Sequence, residues 1–244
     1  MSVVALHGFT GAGATMQDLA DRITAEVTAP DLAGHGLGPH PTDPAGYTVD
    51  AMAAAVLAST DDPIDLIGYS MGGRVALTAA CRSPERVRSL TLIGASAGLA
   101  DPAERSARAA ADDELADLIE RDLPGFVDRW MANPLFATQA RLGDAFLADA
   151  RAQRLTNTPS ALATSLREAS TGRMTPLHGL LARCVMPVGL IVGADDPKFQ
   201  MLADELAAGL GNARIHVIDR AGHAAHLEQP DMVAAAIRET MARA

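Results

Sequence analysis

A single rhythm runs through this chain and leaves few folds open to it. Short aliphatic and β-branched runs, VVALHGF, EVTAPD, IDLIGYS, SLTLIGA, PVGLIVGA and RIHVID, alternate with Ala-rich segments such as VDAMAAAVLAS, GGRVALTAACRS, MLADELAAGL and PDMVAAAIRETMAR. Runs this short and this apolar suit strands covered on both faces, and the amphipathic segments between them suit the covering helices. The alternation therefore predicts an α/β protein with a mostly parallel sheet of about six strands flanked by helices. A further helix is expected over ATMQDLADRI. The rhythm breaks once: from about Ala100 to His178 the sequence is helical in character and rich in Arg and Asp, and then MPVGLIVGADD resumes the sheet. That pattern predicts a helical cap, residues 100–178, inserted between core segments 1–99 and 179–244. The Pro/Gly cluster LAGHGLGPHPTDPAG reads as a long turn-rich loop.

Composition narrows the partners. With 244 residues, 48% of them hydrophobic, the chain can bury a large core. A formal net charge of −10 argues against nucleic acid or an anionic membrane surface, while leaving room for a small anion in a local basic cluster. The start MSVVALHGF lacks a basic segment ahead of an apolar one, and the apolar runs are short, so no membrane insertion and a cytoplasmic location are expected. Cys81 and Cys184 cannot build a disulfide framework, lack metal-type spacing and read as reduced structural thiols.

The chemistry is concentrated where LIGY meets MGGRVAL. Gly68-Tyr69-Ser70-Met71-Gly72 fits G-x-S-x-G between an expected strand and an expected helix, the context in which a serine sits on a sharp turn with its hydroxyl above the sheet. Such a serine needs a base, and the usual chain order is Ser, then acid, then His. GADDPKF follows the PVGLIVG strand and offers Asp195 and Asp196, of which Asp196, one residue further into the loop, is preferred. RAGHAAH follows RIHVID and offers His223. Both loops lie at carboxyl ends of parallel strands, where ligands collect in such sheets. His223 would take the proton of Ser70 and an aspartate would orient the imidazole, although an aspartate here could also simply cap the next helix. His226 reads as a loop or packing residue. The amides of Met71, after the nucleophile, and Phe9, in LHGFTG, are the expected oxyanion donors, with His7 holding that loop.

One rival reading comes from the same loop. VVALHGFTGAG followed by Asp31 superficially resembles a dinucleotide-binding unit, but Gly8, Gly11 and Gly13 give G-x-x-G-x-G, the wrong order for the pyrophosphate turn. Neither a Walker A lysine nor zinc-type His/Glu spacing is present.

Taken together, LHGFTG, PDLAGHG, GYSMGGR, GADDPKF and RAGHAAHLEQP resemble the α/β-hydrolase superfamily over essentially the whole chain. GYSMGGRVALTAAC, GASAGLADPAERSARAAADDELA, FVDRWMANPLF and DPKFQMLADELA further resemble the 2-succinyl-6-hydroxy-2,4-cyclohexadiene-1-carboxylate synthases of menaquinone biosynthesis. The resemblance implies an α/β-hydrolase fold; in a departure from the family pattern the sequence opens directly on VVALHGF, so the antiparallel strands that usually begin this fold are expected to be shortened or missing. The resemblance also implies a Ser-His-Asp lyase that expels pyruvate from an enolpyruvyl precursor without metal or organic cofactor. The implied substrate is a small multi-carboxylate anion, held by Arg74, Arg108, Arg154 and Lys198, with Tyr69 and Trp130 lining the pocket. After Arg108 the cap segment reads AAADDELA, poorer in arginine than the family pattern. Arg105 would be a supporting charge or a solvated one. Outside the resemblance, Arg108 and Arg154 read as halves of surface ion pairs and Trp130 as cap core. The same triad could instead serve a carboxylesterase, lactonase or carbon–carbon hydrolase, or stand idle in a ligand-binding member of the fold.

Overall fold

The computed structural model describes residues 2–23 and 25–244. Six strands form one sheet: β1 (Val3–Leu6), β2 (Val27–Thr28), β3 (Ile64–Tyr69), β4 (Val87–Ile93), β5 (Val188–Gly193) and β6 (Ala213–Ile218). Their order is β2-β1-β3-β4-β5-β6 and every pairing is parallel. The chain steps outward from β1 to β2 and then returns to place β3 on the other side of β1. The order therefore reverses between β1 and β3, and the loops at their carboxyl ends diverge to leave a crevice.

Strand alternation explains why the central runs are mostly apolar, Asp65 in β3 being buried with the Ser89 hydroxyl of β4 donating to it at 2.5 Å. Val4, Leu6, Leu66, Leu90, Leu92 and Leu190 face one core, shared with α2 (Val49–Ala58) and α3 (Met71–Arg82). Val3, Ala5, Ile67, Ile93 and Ile191 face the other core, shared with Val233 and Ile237 of the carboxyl-terminal helix. A strand buried on both faces has no polar positions to alternate with. The expected helix over residues 14–23 is mostly not α-helical: a 3₁₀ turn, Gly13–Met16, precedes one α-turn, α1 (Gln17–Ala20). The Gly13 amide donates to Asp31 Oδ1 (2.5 Å), tying this segment to the loop after β2, and Thr15 Oγ1 donates to the Ala12 carbonyl (2.6 Å) within the turn.

Between β4 and β5 lie α4 (Pro102–Arg121), α5 (Leu123–Met131), a 3₁₀ stretch Pro134–Leu142, α6 (Asp144–Leu155) and α7 (Pro159–Glu168). Asp101 and Asp122 cap α4 and α5 through the amides of Glu104 and Gly125, each with proline in the first turn. Ile119, Phe126, Val127, Leu162 and Leu166 form a separate small core, against which Phe9 of the β1 loop packs. The remaining helices are α8 (Pro197–Gly209), α9 (Ala225–Glu228) and α10 (Pro230–Met241). Cys81 and Cys184 are buried and unbonded, with their Sγ atoms 3.3 Å apart. Among the described residues no helix is long and apolar enough to cross a membrane.

Candidate active site

Ser70 occupies the one-residue corner between β3 and α3 with φ 50° and ψ −107°. An L-residue held there costs about 1–3 kcal/mol, which the surroundings must enforce. The Ser70 amide donates to Ile93 O (2.9 Å) and its carbonyl accepts from Arg74 N (3.1 Å), fixing the corner to β4 and to the first turn of α3. A Cβ on Gly68 would overlap the Gly72 carbonyl, and one on Gly72 would overlap the Leu6 and His7 carbonyls, so both motif glycines are required by close backbone approach.

The hydroxyl so presented meets His223 Nε2 at 3.1 Å, and His223 Nδ1 lies 3.1 Å from Asp196 Oδ2. With Nδ1–H donating to the carboxylate, the Nε2 lone pair accepts from the serine O–H. Asp196 Oδ1 accepts from Phe199 N at 3.2 Å, so this residue caps α8 and orients His223 at once. Asp195 points elsewhere and accepts from Arg141 Nη1 at 2.6 Å on the surface. The Phe199 ring packs against His223 with centroids 4.3 Å apart and planes inclined at 45°.

The loop after β1 closes over the serine. A Cβ on Gly8 would overlap the Tyr69 ring and lie 3.5 Å from Ser70 Cβ, which sets the backbone of Gly8 and Phe9 beside the hydroxyl. Met71 is the first residue of α3, so its N–H has no intrahelical acceptor. His7 donates from Nδ1 to Gly8 O (2.8 Å) and accepts Leu32 N–H at Nε2 (3.0 Å); burial holds its pKa below the ordinary value, and the neutral ring staples the loop. Two of the loop amides that a nucleotide reading would assign to phosphate are engaged, Gly11 N donating to Gly8 O (3.0 Å) and Gly13 N to the Asp31 carboxylate.

Two lobes meet at Ser70, with Phe9, Trp130 and Phe136 shared between them. The larger, about 300 Å³, includes Tyr69, Gln153, Arg154 and His226. Burial lowers the pKa of Arg154, whose Nη1 donates to Ala150 O (2.7 Å) while its buried Nε has no partner. Burial raises the Tyr69 hydroxyl, and burial with the neighbouring His223 lowers His226 to about 3, leaving both neutral. Asp18, paired with Arg22, and Asp149 sit on this lobe's exposed rim. The smaller lobe, about 130 Å³, is lined by Arg74, Arg108, Lys198 and Asp112. Arg74 donates to Ala169 O (2.6 Å), and burial, reinforced by the Arg108 charge, lowers its pKa to about 10, so it stays cationic at neutral pH. Among the described residues neither Arg74 nor Arg154 has a carboxylate partner. Buried cations left unpaired in this way are complementary to an incoming anion. Lys198 Nζ lies 5.8 Å from the Phe199 ring, whereas Arg105, half-buried on α4, is outside both lobes and donates to Ala100 O at 3.5 Å.

Apart from Arg105, the residues singled out in the sequence for catalysis or binding lie around the two lobes or on the loops that form them. Sequence reasoning missed Phe136, Gln153, Asn157, Ser170 and Asp112. Only Asp112 carried a signal, its position four residues after Arg108 on one helix. Among the described residues no cluster of His, Cys, Asp and Glu fit to hold a metal ion occurs.

Comparison with known proteins adds relatives to this geometry. A family model described as "Alpha/beta hydrolase family" matches residues 3–236. A Bacillus subtilis protein named putative 2-succinyl-6-hydroxy-2,4-cyclohexadiene-1-carboxylate synthase is 35% identical, over 98% of this chain and 89% of its own length. An Enterobacter protein named 2-succinyl-6-hydroxy-2,4-cyclohexadiene-1-carboxylate synthase is 32% identical over 98% of this chain and 91% of its own. The solved structure of MenH from S. aureus superposes with a TM-score of 0.93 at 30% identity, covering 99% of this chain and 93% of that one.

Proposed function

Because the chain belongs to the alpha/beta hydrolase family, and within it to the 2-succinyl-6-hydroxy-2,4-cyclohexadiene-1-carboxylate synthases, we propose that it is a lyase. It converts 2-succinyl-5-enolpyruvyl-6-hydroxy-3-cyclohexene-1-carboxylate into 2-succinyl-6-hydroxy-2,4-cyclohexadiene-1-carboxylate and pyruvate. The observation that carries this reading is the hydrogen-bonded Ser70–His223–Asp196 chain at the junction of two lobes that hold Arg154 on one side and Arg74, Arg108 and Lys198 on the other. A substrate with carboxylates on its succinyl arm, ring and enolpyruvyl group matches cations spread around one reactive centre.

The change from 3-ene to 2,4-diene fixes the bonds that move. The proton leaves the ring carbon that bears the succinyl ketone and is also allylic to the 3,4 double bond. His223, oriented by Asp196, draws the proton of Ser70, and the activated serine, directly or through His223, takes that ring proton. Charge develops on the ketone oxygen, where the amides of Met71 and Phe9 donate. The electrons then move through the ring, form the 2,3 and 4,5 double bonds and break the carbon–oxygen bond to the enolpyruvyl group. That group collects the abstracted proton and tautomerises to pyruvate. No covalent intermediate and no water are required.

The test follows pyruvate release from the precursor for wild type, Ser70→Ala and Arg154→Ala, with p-nitrophenyl acetate as control. Fast release that collapses in both variants, with poor ester turnover, is the expected result. Negligible release alongside Ser70-dependent ester cleavage would overturn the lyase assignment in favour of a covalent ester hydrolase.

A further inference from the structure

Asp112 is 2% exposed, on α4, in a lobe whose other charged lining residues are all cations. By charge alone it weakens the lobe's attraction for an anion, so its burial there calls for a reason, and its hydrogen bonds supply one. Arg108, one helical turn earlier, donates through Nε to Oδ1 and Oδ2, both at 2.9 Å. Oδ2 also accepts from Ser170 Oγ at 2.7 Å, and Ser170 Oγ accepts from Gly172 N at 3.0 Å. The carboxylate is therefore anchored to the segment that follows α7, and it grips the guanidinium by its inner nitrogen. Neither Nη group of Arg108 donates to an acceptor among the described residues, and the side chain is 42% exposed. A guanidinium held at Nε keeps its end-on pair of N–H donors free and loses the freedom to rotate away, the state best suited to bidentate capture of a carboxylate. The same segment receives Arg74 through Ala169 O, so α3, α4 and the end of α7 converge on one short stretch of backbone.

We propose that Asp112 is a positioning residue that presets Arg108 as an end-on clamp for one substrate carboxylate. The proposal rests on reading the site as one for a multi-carboxylate anion. By contrast Asp113, the next residue, turns outward to pair with Arg173 at 2.8 Å and serves as the internal comparison.

The experiment compares wild type, Asp112→Asn, Arg108→Ala, the double variant and Asp113→Asn. KM and kcat are measured for pyruvate release and for two esters, mono-p-nitrophenyl glutarate, which carries a free carboxylate, and p-nitrophenyl acetate, which does not. Asp112→Asn should raise KM about tenfold for the carboxylate-bearing compounds, with kcat within about twofold and acetate turnover unchanged. In the double variant it should add nothing to Arg108→Ala, and Asp113→Asn should behave as wild type. Equal losses on both esters, or additive losses in the double variant, would overturn the proposal. If the wild type releases no pyruvate yet its preference for the glutarate ester depends on Asp112 and Arg108, the lyase reading falls and this one stands.

Discussion

Asn157→Ala tests whether the helical cap sets the geometry of the oxyanion loop. Asn157 is 3% exposed and joins three segments: Nδ2 donates to Thr10 O (3.1 Å) and to Arg154 O (2.9 Å), and Oδ1 accepts from Gly36 N (2.9 Å). Thr10, held at φ 65°, directly follows Phe9, whose amide is the proposed second donor. Three bonds at about 1 kcal/mol each, with a Gly36 N–H left unpaired, sum to roughly 3–4 kcal/mol of lost stability. For a domain of this size that lowers Tm by roughly 10 °C. Thr10 O retains Gln153 Nε2 at 3.3 Å, so the loop loosens without being released. Removing a whole oxyanion donor costs about 10²–10³ in kcat, so a displaced one should cost about 10–30-fold, with KM within about threefold. The assay is pyruvate release well below the variant's Tm, beside urea unfolding. A kcat within twofold of wild type in a variant that has lost the expected stability would refute the link between cap and oxyanion loop.

Arg154→Met removes a buried guanidinium whose Nε has no partner, while Ala150 O keeps its helical hydrogen bond; unliganded stability should rise by about 1 kcal/mol as KM for the precursor rises at least tenfold, read by thermal unfolding and pyruvate release. His35 and His226 have pKa values lowered to about 3, and His7 is lowered too, each mainly by burial, from an ordinary 6.5. The unfolded chain therefore binds more protons below pH 6.5, and native stability should fall as pH drops from there toward 3, by about 1.4 kcal/mol per pH unit for each of His35 and His226, with His7 acting in the same direction; urea midpoints that stay flat between pH 7 and 5 would contradict this.

The fold was legible because the central strands β1, β3, β4 and β5, covered on both faces, leave mostly apolar runs. The two-residue edge strand at Val27–Thr28 is the exception, with Val27 half-buried and Thr28 exposed, and only its β-branched residues marked it. The Ser70 corner was legible for a different reason: its glycines are demanded by local backbone approach and so lie beside it in sequence. The cap resisted reading because its contacts depend on helix rotation. One step of 100° along α4 separates Asp112, buried against Ser170, from Asp113, paired outward with Arg173, and within AAADDELA only the four-residue spacing from Arg108 tells them apart. What reads as a shortage of arginine there also holds the acid that fixes Arg108. Asn157 and Gln153 left no trace, since their partner Thr10 lies more than 140 residues away in the chain.

The Ser70–His223–Asp196 chain does not by itself choose between attacking a carbonyl carbon and removing a proton, because the same basic oxygen serves either reaction. The choice falls to the lobes, which decide what part of a bound molecule lies over Ser70. In the smaller lobe Arg74, Arg108 and Lys198 outnumber Asp112 within a chain whose net charge is −10, so the local field runs against that of the molecule as a whole. On the proposed function, carboxylates held there and at Arg154 would fix the ring between them, and a ring fixed at two ends would present one C–H bond and its ketone to the Met71 and Phe9 amides. Binding energy from groups remote from the reacting bond is then spent on orientation. A precursor analogue lacking the succinyl carboxylate should accordingly lose kcat as well as affinity. If it loses affinity alone, the arginines recruit the substrate without aiming it, and the preference for elimination must come from the chemistry of the substrate.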